Sequence, residues 1–192
     1  MQAARGASLS SSVADSESEP TRWWKAPISR RREWSIFLPI VAVLITLDQW
    51  LKAWAVSELD DGRTIEIFGD YFGLHLVRNP GAAFSMGTSF TEVLTVISAV
   101  ATVVVAYLMV RVRSTMWAFG LGVLFAGVVG NLLDRLTREP GFGRGHVIDM
   151  FALPDFPVFN VADVCINVAA AVILIQAVRG VQLNGTRENN DE

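Results

Sequence analysis

The chain is poor in charge, histidine and cysteine. Aspartate, glutamate, lysine and arginine make up 18 % of its 192 residues, with two histidines and one cysteine. A lone cysteine leaves no internal disulfide to staple a fold. Cys165 sits in the apolar run Val164-Cys165-Ile166 with no histidine beside it in sequence, so it reads as a small packing residue rather than a nucleophile. His146 lies near Asp149 and Asp155, but the other imidazole, His75, belongs to a different segment. A metal shell is therefore incomplete, and no metal or other cofactor is expected. The net charge of -3 comes without a basic patch, so no nucleic-acid partner is expected either.

Apolar residues, by contrast, reach 52 % and are clustered rather than spread with amphipathic spacing. Four runs are long enough to cross a hydrocarbon core of ~30 Å: Trp34–Val56, Thr91–Val110, Met116–Asp134 and Phe159–Val178. Arg22, Lys25, Arg30, Arg31 and Arg32 precede the first run, Arg111 and Arg113 fill the link between the second and third, and Arg179 follows the fourth. The loop after the first run instead carries Glu58, Asp60, Asp61, Glu66 and Asp70. The positive-inside rule places both termini in the cytoplasm and both longer loops outside. Trp23, Trp24, Trp34 and Trp117 at one level and Trp50 and Trp54 at the other fit interfacial belts.

The expected class is thus an all-α membrane protein of four transmembrane helices. Residues 1–33 form a disordered polar tail with a basic juxtamembrane segment, 34–178 the membrane domain, and 179–192 a cytoplasmic tail. The first run carries Asp48 and Lys52 and lacks a small-residue cleavage site behind it, so it is expected to stay attached as an anchor. Between the first two helices, Thr64–Phe68 reads as one strand. Phe72–Val77 alternates as a second, and Asn79-Pro80-Gly81 reads as a turn. A small extracytoplasmic β-sheet on the membrane surface is expected there, with an edge that offers strand addition to an extended peptide.

Polar residues in or near the apolar runs point to function, because an ionised side chain at the centre of a membrane helix costs roughly 2.5–3.5 kcal/mol on insertion scales. Gly127, Gly130, Asn131 and Asp134 share one face of the third helix by their spacing. Asp134 beside Arg135 reads as an inter-helix clamp, and the Arg135 fork suits a carboxylate, a carbonyl or a lipid phosphate. Asp48 and Lys52, one turn apart near the outer end of the first helix, read as a structural ion pair that neutralises itself at the interface. Asn160 and Asp163 open the fourth helix; capping explains one of them, and for Asp163 capping and catalysis stay open together. Asp149 stands fourteen residues earlier, with Pro154 and Pro157 between, so a tight loop rather than a helix joins the two acids. Two carboxylates brought close share one proton and suit acid/base hydrolysis. An ion-coupled transporter and a non-enzymatic scaffold also use intramembrane polar residues, but no inverted repeat is visible.

Five runs together resemble the lipoprotein signal peptidases, or signal peptidase II. They are Asp48-Gln49-Trp50-Leu51-Lys52, Asn79-Pro80-Gly81-Ala82-Ala83-Phe84, Gly130-Asn131-Leu132-Leu133-Asp134-Arg135, Val147-Ile148-Asp149-Met150 and Phe159-Asn160-Val161-Ala162-Asp163, in the family's order over residues 36–178. The resemblance implies a multi-pass aspartic endopeptidase of the bacterial plasma membrane, acting at the extracytoplasmic face without a cofactor. Its substrates would be diacylglyceryl-modified prolipoproteins, cut just before the lipidated cysteine. The family's catalytic aspartates fall on Asp149 and Asp163, and its supporting residues on Asp48, Lys52, Asn79, Gly81, Asn131, Asp134, Arg135 and Asn160. The implied enzyme works as a monomer among membrane lipids, with the sheet and the 79–84 turn cradling the lipobox. Two departures, a shorter loop between the acids than in some relatives and the polar N-terminal tail, remove no motif residue.

Overall fold

Each long apolar run forms a helix, and each helix is long enough to cross hydrocarbon. The computed structural model describes residues 31–81 and 91–187. In chain order these are α1 (Arg31–Leu59), β1 (Thr64–Glu66), β2 (Gly73–Asn79), α2 (Thr91–Met109), α3 (Thr115–Thr137), β3 (Val147–Leu153), β4 (Phe156–Phe159) and α4 (Val161–Val178). The basic and tryptophan residues expected within 1–30, the turn residues Ala82, Ala83 and Phe84, and the end of the C-terminal tail lie outside the described residues.

The third helix is the hub. Of its most apolar stretch 56 % is buried, against 11–22 % in the other three, so α1, α2 and α4 surround it and present their remaining surface outward. Glycine makes this close packing possible. A Cβ at position 127 would stand 2.6 Å from the Ala162 carbonyl oxygen, and one at 130 would stand 2.7 Å from Asp48 Oδ2. Small residues on one face of α3 thus admit the backbone of α4 at 127 and the Asp48 side chain of α1 at 130. Near one end, Phe37, Val105, Met109, Val112, Ala118 and Leu121 form an apolar cluster shared by α1, α2 and α3. The chain after α4 returns to this end, where Val181 accepts a hydrogen bond from Trp117 Nε1 at 2.9 Å and the Arg113 amide donates to the Leu183 carbonyl at 2.9 Å. Cys165 is buried with Val123 and Ala169, as a packing residue.

The sheet is larger than the expected one, and its second half comes from a different place. Four antiparallel strands lie in the order β1-β2-β3-β4. Only β1 and β2 belong to the connection between α1 and α2, while β3, which carries Asp149, and β4 come from the connection between α3 and α4, where the segment between the two acids reads as a loop in the sequence. The fold is therefore the expected four apolar helices with a small antiparallel sheet, and that sheet has four strands. Val147, Ile148, Asp149 and Met150 are all buried, so β3 lacks the in–out alternation that marks a half-exposed strand. Its buried backbone groups need partners, and pairing with β2 supplies them. At the other extreme β1 is shorter than expected, because Gly69, at φ +51°, helps turn the chain back after Ile67. Pro154 and Asp155 join β3 to β4, with Asp155 in the left-handed region at φ +54°. The inner face of the sheet packs Ile148 and Met150 against Ala55 and Leu59 of α1.

Candidate active site

Register places the first acid. Antiparallel pairing sets Val77 opposite Asp149 and Asn79 opposite Val147, so the Asn79 side chain reaches the Asp149 carboxylate from the neighbouring strand. Asn79 Nδ2 donates to Asp149 Oδ2 at 2.9 Å, and Asn160 Nδ2 donates to Asp149 Oδ1 at 2.6 Å. The second acid is placed by the start of α4. Asn160 caps the helix and accepts from the Asp163 amide at 3.0 Å, while Asp163 Oδ2 accepts from the Asn160 amide at 3.1 Å. This is a reciprocal capping box, so capping engages both residues and not one of them, as the sequence suggested. The box leaves atoms to spare. Asp163 Oδ1 still accepts from Asn131 Nδ2 at 2.9 Å, and the Asn160 amide nitrogen is left for Asp149. Capping and an acid-pair role therefore coexist in the same side chains, and Asn160 holds both carboxylates at once.

Beneath this pair lies a buried ionic network. Lys52 is fully buried and donates to Asp48 Oδ2 at 2.9 Å, Asp134 Oδ2 at 2.8 Å and Asn131 Oδ1 at 2.9 Å. All three ammonium hydrogens are thus engaged. Asp48 also accepts from the Ala162 amide at 2.9 Å, one of the free N–H groups in the first turn of α4. Asp134 also accepts from Arg138 Nε at 2.5 Å and from the Ile148 amide at 3.3 Å, one residue before Asp149.

Two expectations are corrected here. Asp48 and Lys52 do not form a self-contained pair at the interface. Helix α1 continues to Leu59, about two turns past Lys52, and carries the pair into the interior. Asp134 is an inter-helix clamp, but its arginine is Arg138 at i+4, not Arg135, since adjacent helical residues do not face each other.

The network also dictates which way two amides point. An ammonium can only donate, so Asn131 turns its oxygen to Lys52 and its NH2 to Asp163. The same oxygen accepts from Asn160 Nδ2 at 3.1 Å, which turns the Asn160 NH2 inward and leaves its own oxygen for the Asp163 amide. A buried lysine thereby presents amide donors to both carboxylates.

The two acids are not equivalent. Burial pushes the Asp149 carboxyl up to about 6 from 3.8; the Asn79 hydrogen bond opposes this, the Asp163 charge reinforces it, and Asn160 and Lys52 pull it down. Arg135 lies close by, with one long bond from Nη1 to the Asn131 carbonyl at 3.4 Å and a buried Nε that has no partner. Gly81 closes the rim. It has φ +105°, its amide donates to Asn79 Oδ1 at 2.8 Å, and a Cβ there would collide with Leu94. All ten site residues named from the sequence thus lie in or beside one network. Sequence reasoning missed Gln49, which donates to the Gly130 carbonyl at 3.1 Å, and Arg138, whose i+4 spacing from Asp134 was a usable signal. His146 and His75 stay apart from the acid pair: His75 Nδ1 meets Thr64 Oγ1, and His146 lines a pocket with Asp60, Arg78 and Arg138. Among the described residues no three His, Cys, Asp or Glu side chains are grouped to hold a metal ion.

Residues 40–179 match the family model described as signal peptidase (SPase) II. The chain belongs to the signal peptidase II family. It is 41 % identical over 158 residues to a lipoprotein signal peptidase of Leifsonia xyli, spanning 81 % of this chain and 73 % of that one. A lipoprotein signal peptidase of Rhodococcus jostii is 39 % identical over 162 residues, 84 % of this chain and 81 % of its own. One from Mycobacterium tuberculosis is 42 % identical over 155 residues, 81 % and 75 % of the two chains. Two solved structures described as bacterial membrane enzymes share the fold, with TM-scores of 0.66 and 0.67 at 21 % and 23 % identity. They cover 81 % and 76 % of this chain and 94 % of each of theirs. Signal peptidase II membership makes the chain a protease, and its four apolar helices make it a multi-pass bacterial membrane protein.

Proposed function

We propose that the chain is an aspartic endopeptidase that removes signal peptides from diacylglyceryl-modified prolipoproteins, with Asp149 and Asp163 as its catalytic residues. The observation that carries this reading is the shared hold of Asn160 on both acids, with burial first and the charge of Asp163 after it raising the affinity of Asp149 for a proton. Asp149 is the natural proton carrier of the pair. Asp163 sits in the first turn of α4, where it accepts from Asn131 Nδ2 and the Asn160 backbone amide, and it takes the part of general base.

In the first step Asp163 takes a proton from a water molecule as the water oxygen attacks the scissile carbonyl. Asp149 gives its proton to the carbonyl oxygen, forming a neutral gem-diol. In the second step the now ionised Asp149 takes a proton back from a diol hydroxyl. Asp163 delivers its proton to the leaving amine, which is that of the lipidated cysteine, and the C–N bond breaks. Each acid ends as it began, and one water is consumed. The open Nε of Arg135 is a donor for a substrate carbonyl. Gly81 keeps the rim low enough for a peptide backbone to approach. Lys52, Asp48, Asp134, Asn131 and Asn160 hold the acids in place. The site lies at the extracytoplasmic membrane edge, both termini are cytoplasmic, the diacylglyceryl chains stay in the bilayer, and one chain suffices.

The test is cleavage of a lipidated prolipoprotein in detergent by the wild type, Asp149→Asn and Asp163→Asn, each with and without chelator. Both variants should insert normally and show no cleavage, and chelator should change nothing. Normal processing by either variant would refute the assignment, since a scaffold tolerates a neutral near-isostere.

A further inference from the structure

A continuous aromatic row crosses the outer sheet, and among the described residues its outer members are largely exposed. Phe68 meets Phe72 at 6.4 Å between ring centroids, Phe72 stacks on Phe151 at 6.1 Å, Phe151 meets Phe159 at 5.6 Å, and Phe159 meets Phe156 edge-on at 5.8 Å. The row thus joins the turn after β1 to both edges of the β3–β4 hairpin. Its middle is half-buried, but Phe68 is 71 % exposed, Phe156 is 59 % exposed and Tyr71, beside the row, is 79 % exposed. Rings already in contact with one another, with their outer members bare, form a contiguous apolar surface rather than scattered exposed residues.

The position of the row identifies what covers it. Phe159 ends β4, and α4, an apolar helix of membrane length, begins two residues later at Val161. At the reach of an extended chain this puts Phe159, the ring through which Phe151 and Phe156 join, within about 7 Å of the end of a hydrocarbon span. Aromatic rings favour this zone, where one side of a ring meets acyl chains and the other meets headgroups. Trp50 near the outer end of α1 is likewise 62 % exposed.

We propose that the aromatic row is a lipid-contacting surface, seating the sheet in the boundary between headgroups and acyl chains and fixing the depth of the acid pair. Phe151 follows Asp149 by two residues on β3, and Phe159 immediately precedes Asn160. A row held at the boundary therefore holds both carboxylates there too, at the depth where a diacylglyceryl-bearing backbone emerges from the bilayer. The partner is the bilayer surface itself. The inference does not depend on which carboxylates are catalytic.

The test uses the full chain in phospholipid bilayers, with Cys165→Ala as background and a nitroxide label introduced through Phe68→Cys, Phe156→Cys or, as a control in the exposed turn after α1, Asp61→Cys. Labels at 68 and 156 should collide more with dissolved oxygen than with a water-soluble nickel chelate, and the label at 61 should show the reverse. Equal water exposure at all three positions would overturn the proposal. So would water shielding at 68 and 156 that appears only when lipidated substrate is added, because the row would then be a peptide-docking surface. A second arm compares the combined Phe68→Ser, Tyr71→Ser and Phe156→Ser variant with wild type. Cleavage should slow in bilayers and stay unchanged in detergent, whereas an equal loss in both media would count against a lipid role.

Discussion

The raised proton affinity of Asp149 makes a prediction about stability that is separate from activity. Folding lifts this carboxyl from 3.8 to about 6, so the folded protein binds its proton more tightly than the unfolded chain does. The contribution is unfavourable to the folded state above pH 6 and vanishes below pH 4, so stability falls as pH rises between those limits. That rise corresponds to ~3 kcal/mol. Asp149→Asn removes that penalty but introduces another. The two carboxylate oxygens each accept one bond, from Asn79 and Asn160, and an asparagine can accept at only one of those positions. The resulting donor-to-donor contact costs about 1–3 kcal/mol. At pH 7 the two terms leave the variant equal to or up to about 2 kcal/mol more stable than wild type, a melting midpoint as much as ~6 °C higher for a chain of this size. Near pH 4 only the mismatch remains, and the variant should melt lower. Thermal unfolding of both proteins in one detergent from pH 4 to 8 isolates the group, because all other titrations cancel in the difference. A difference that is the same at pH 4.5 and pH 7.5 would refute the assignment of the strained carboxyl to Asp149.

Four further outcomes are expected. Activity that needs the proton on Asp149 should fall as pH rises through about 6, and Asn79→Leu, which removes a bond that lowers the proton affinity, should move that limb of the kcat/KM profile to higher pH; an unmoved limb would separate Asn79 from the acid. Lys52→Met leaves Asp48 and Asp134 with one fewer partner and should cost about 3–5 kcal/mol of stability. Adding Asp134→Asn to it restores the charge balance and should recover protein yield, yet cleavage should stay low because Asn131 is no longer oriented; full recovery of cleavage would show Lys52 to be structural only. Gly127→Ala puts a methyl against the Ala162 carbonyl and should cost about 1–3 kcal/mol through separation of α3 from α4, read as a lower melting midpoint.

Much of the framework was legible because lipid makes polar residues conspicuous. The four helices follow from uninterrupted apolar length, and their ends differ from expectation by a few residues. The glycine face of α3 follows from spacing of three and four. What stayed hidden in the residues was partnership across elements. The run into Asp149 reads only as a short extended or turning stretch and the part of β3 after it as loop, since burial on both faces erases the period-two pattern; pairing with β2 makes the whole a strand. Asp48 and Lys52 look interfacial because apolar patterning alone ends α1 too early, whereas three more residues of helix carry them inward. The Asp134–Arg138 pair was accessible to an i+4 rule, but the adjacent Arg135 drew the assignment away from it.

The separation of catalytic from structural residues also fails on physical grounds. Asn131 and Asn160 can each point either way around as isolated side chains, and only one combination gives a donor to Asp149 and another to Asp163. That combination is selected by Lys52, which offers donors alone, and Lys52 is held by Asp48 and Asp134. Asp48 in turn binds the first turn of α4 through Ala162, and Asp134 binds the strand carrying Asp149 through Ile148. The ion pairs that join the helices therefore also aim the amides. A substitution anywhere in this chain of contacts should alter the proton affinity of the acid pair before it alters the fold, unless it strips a buried charge of every partner.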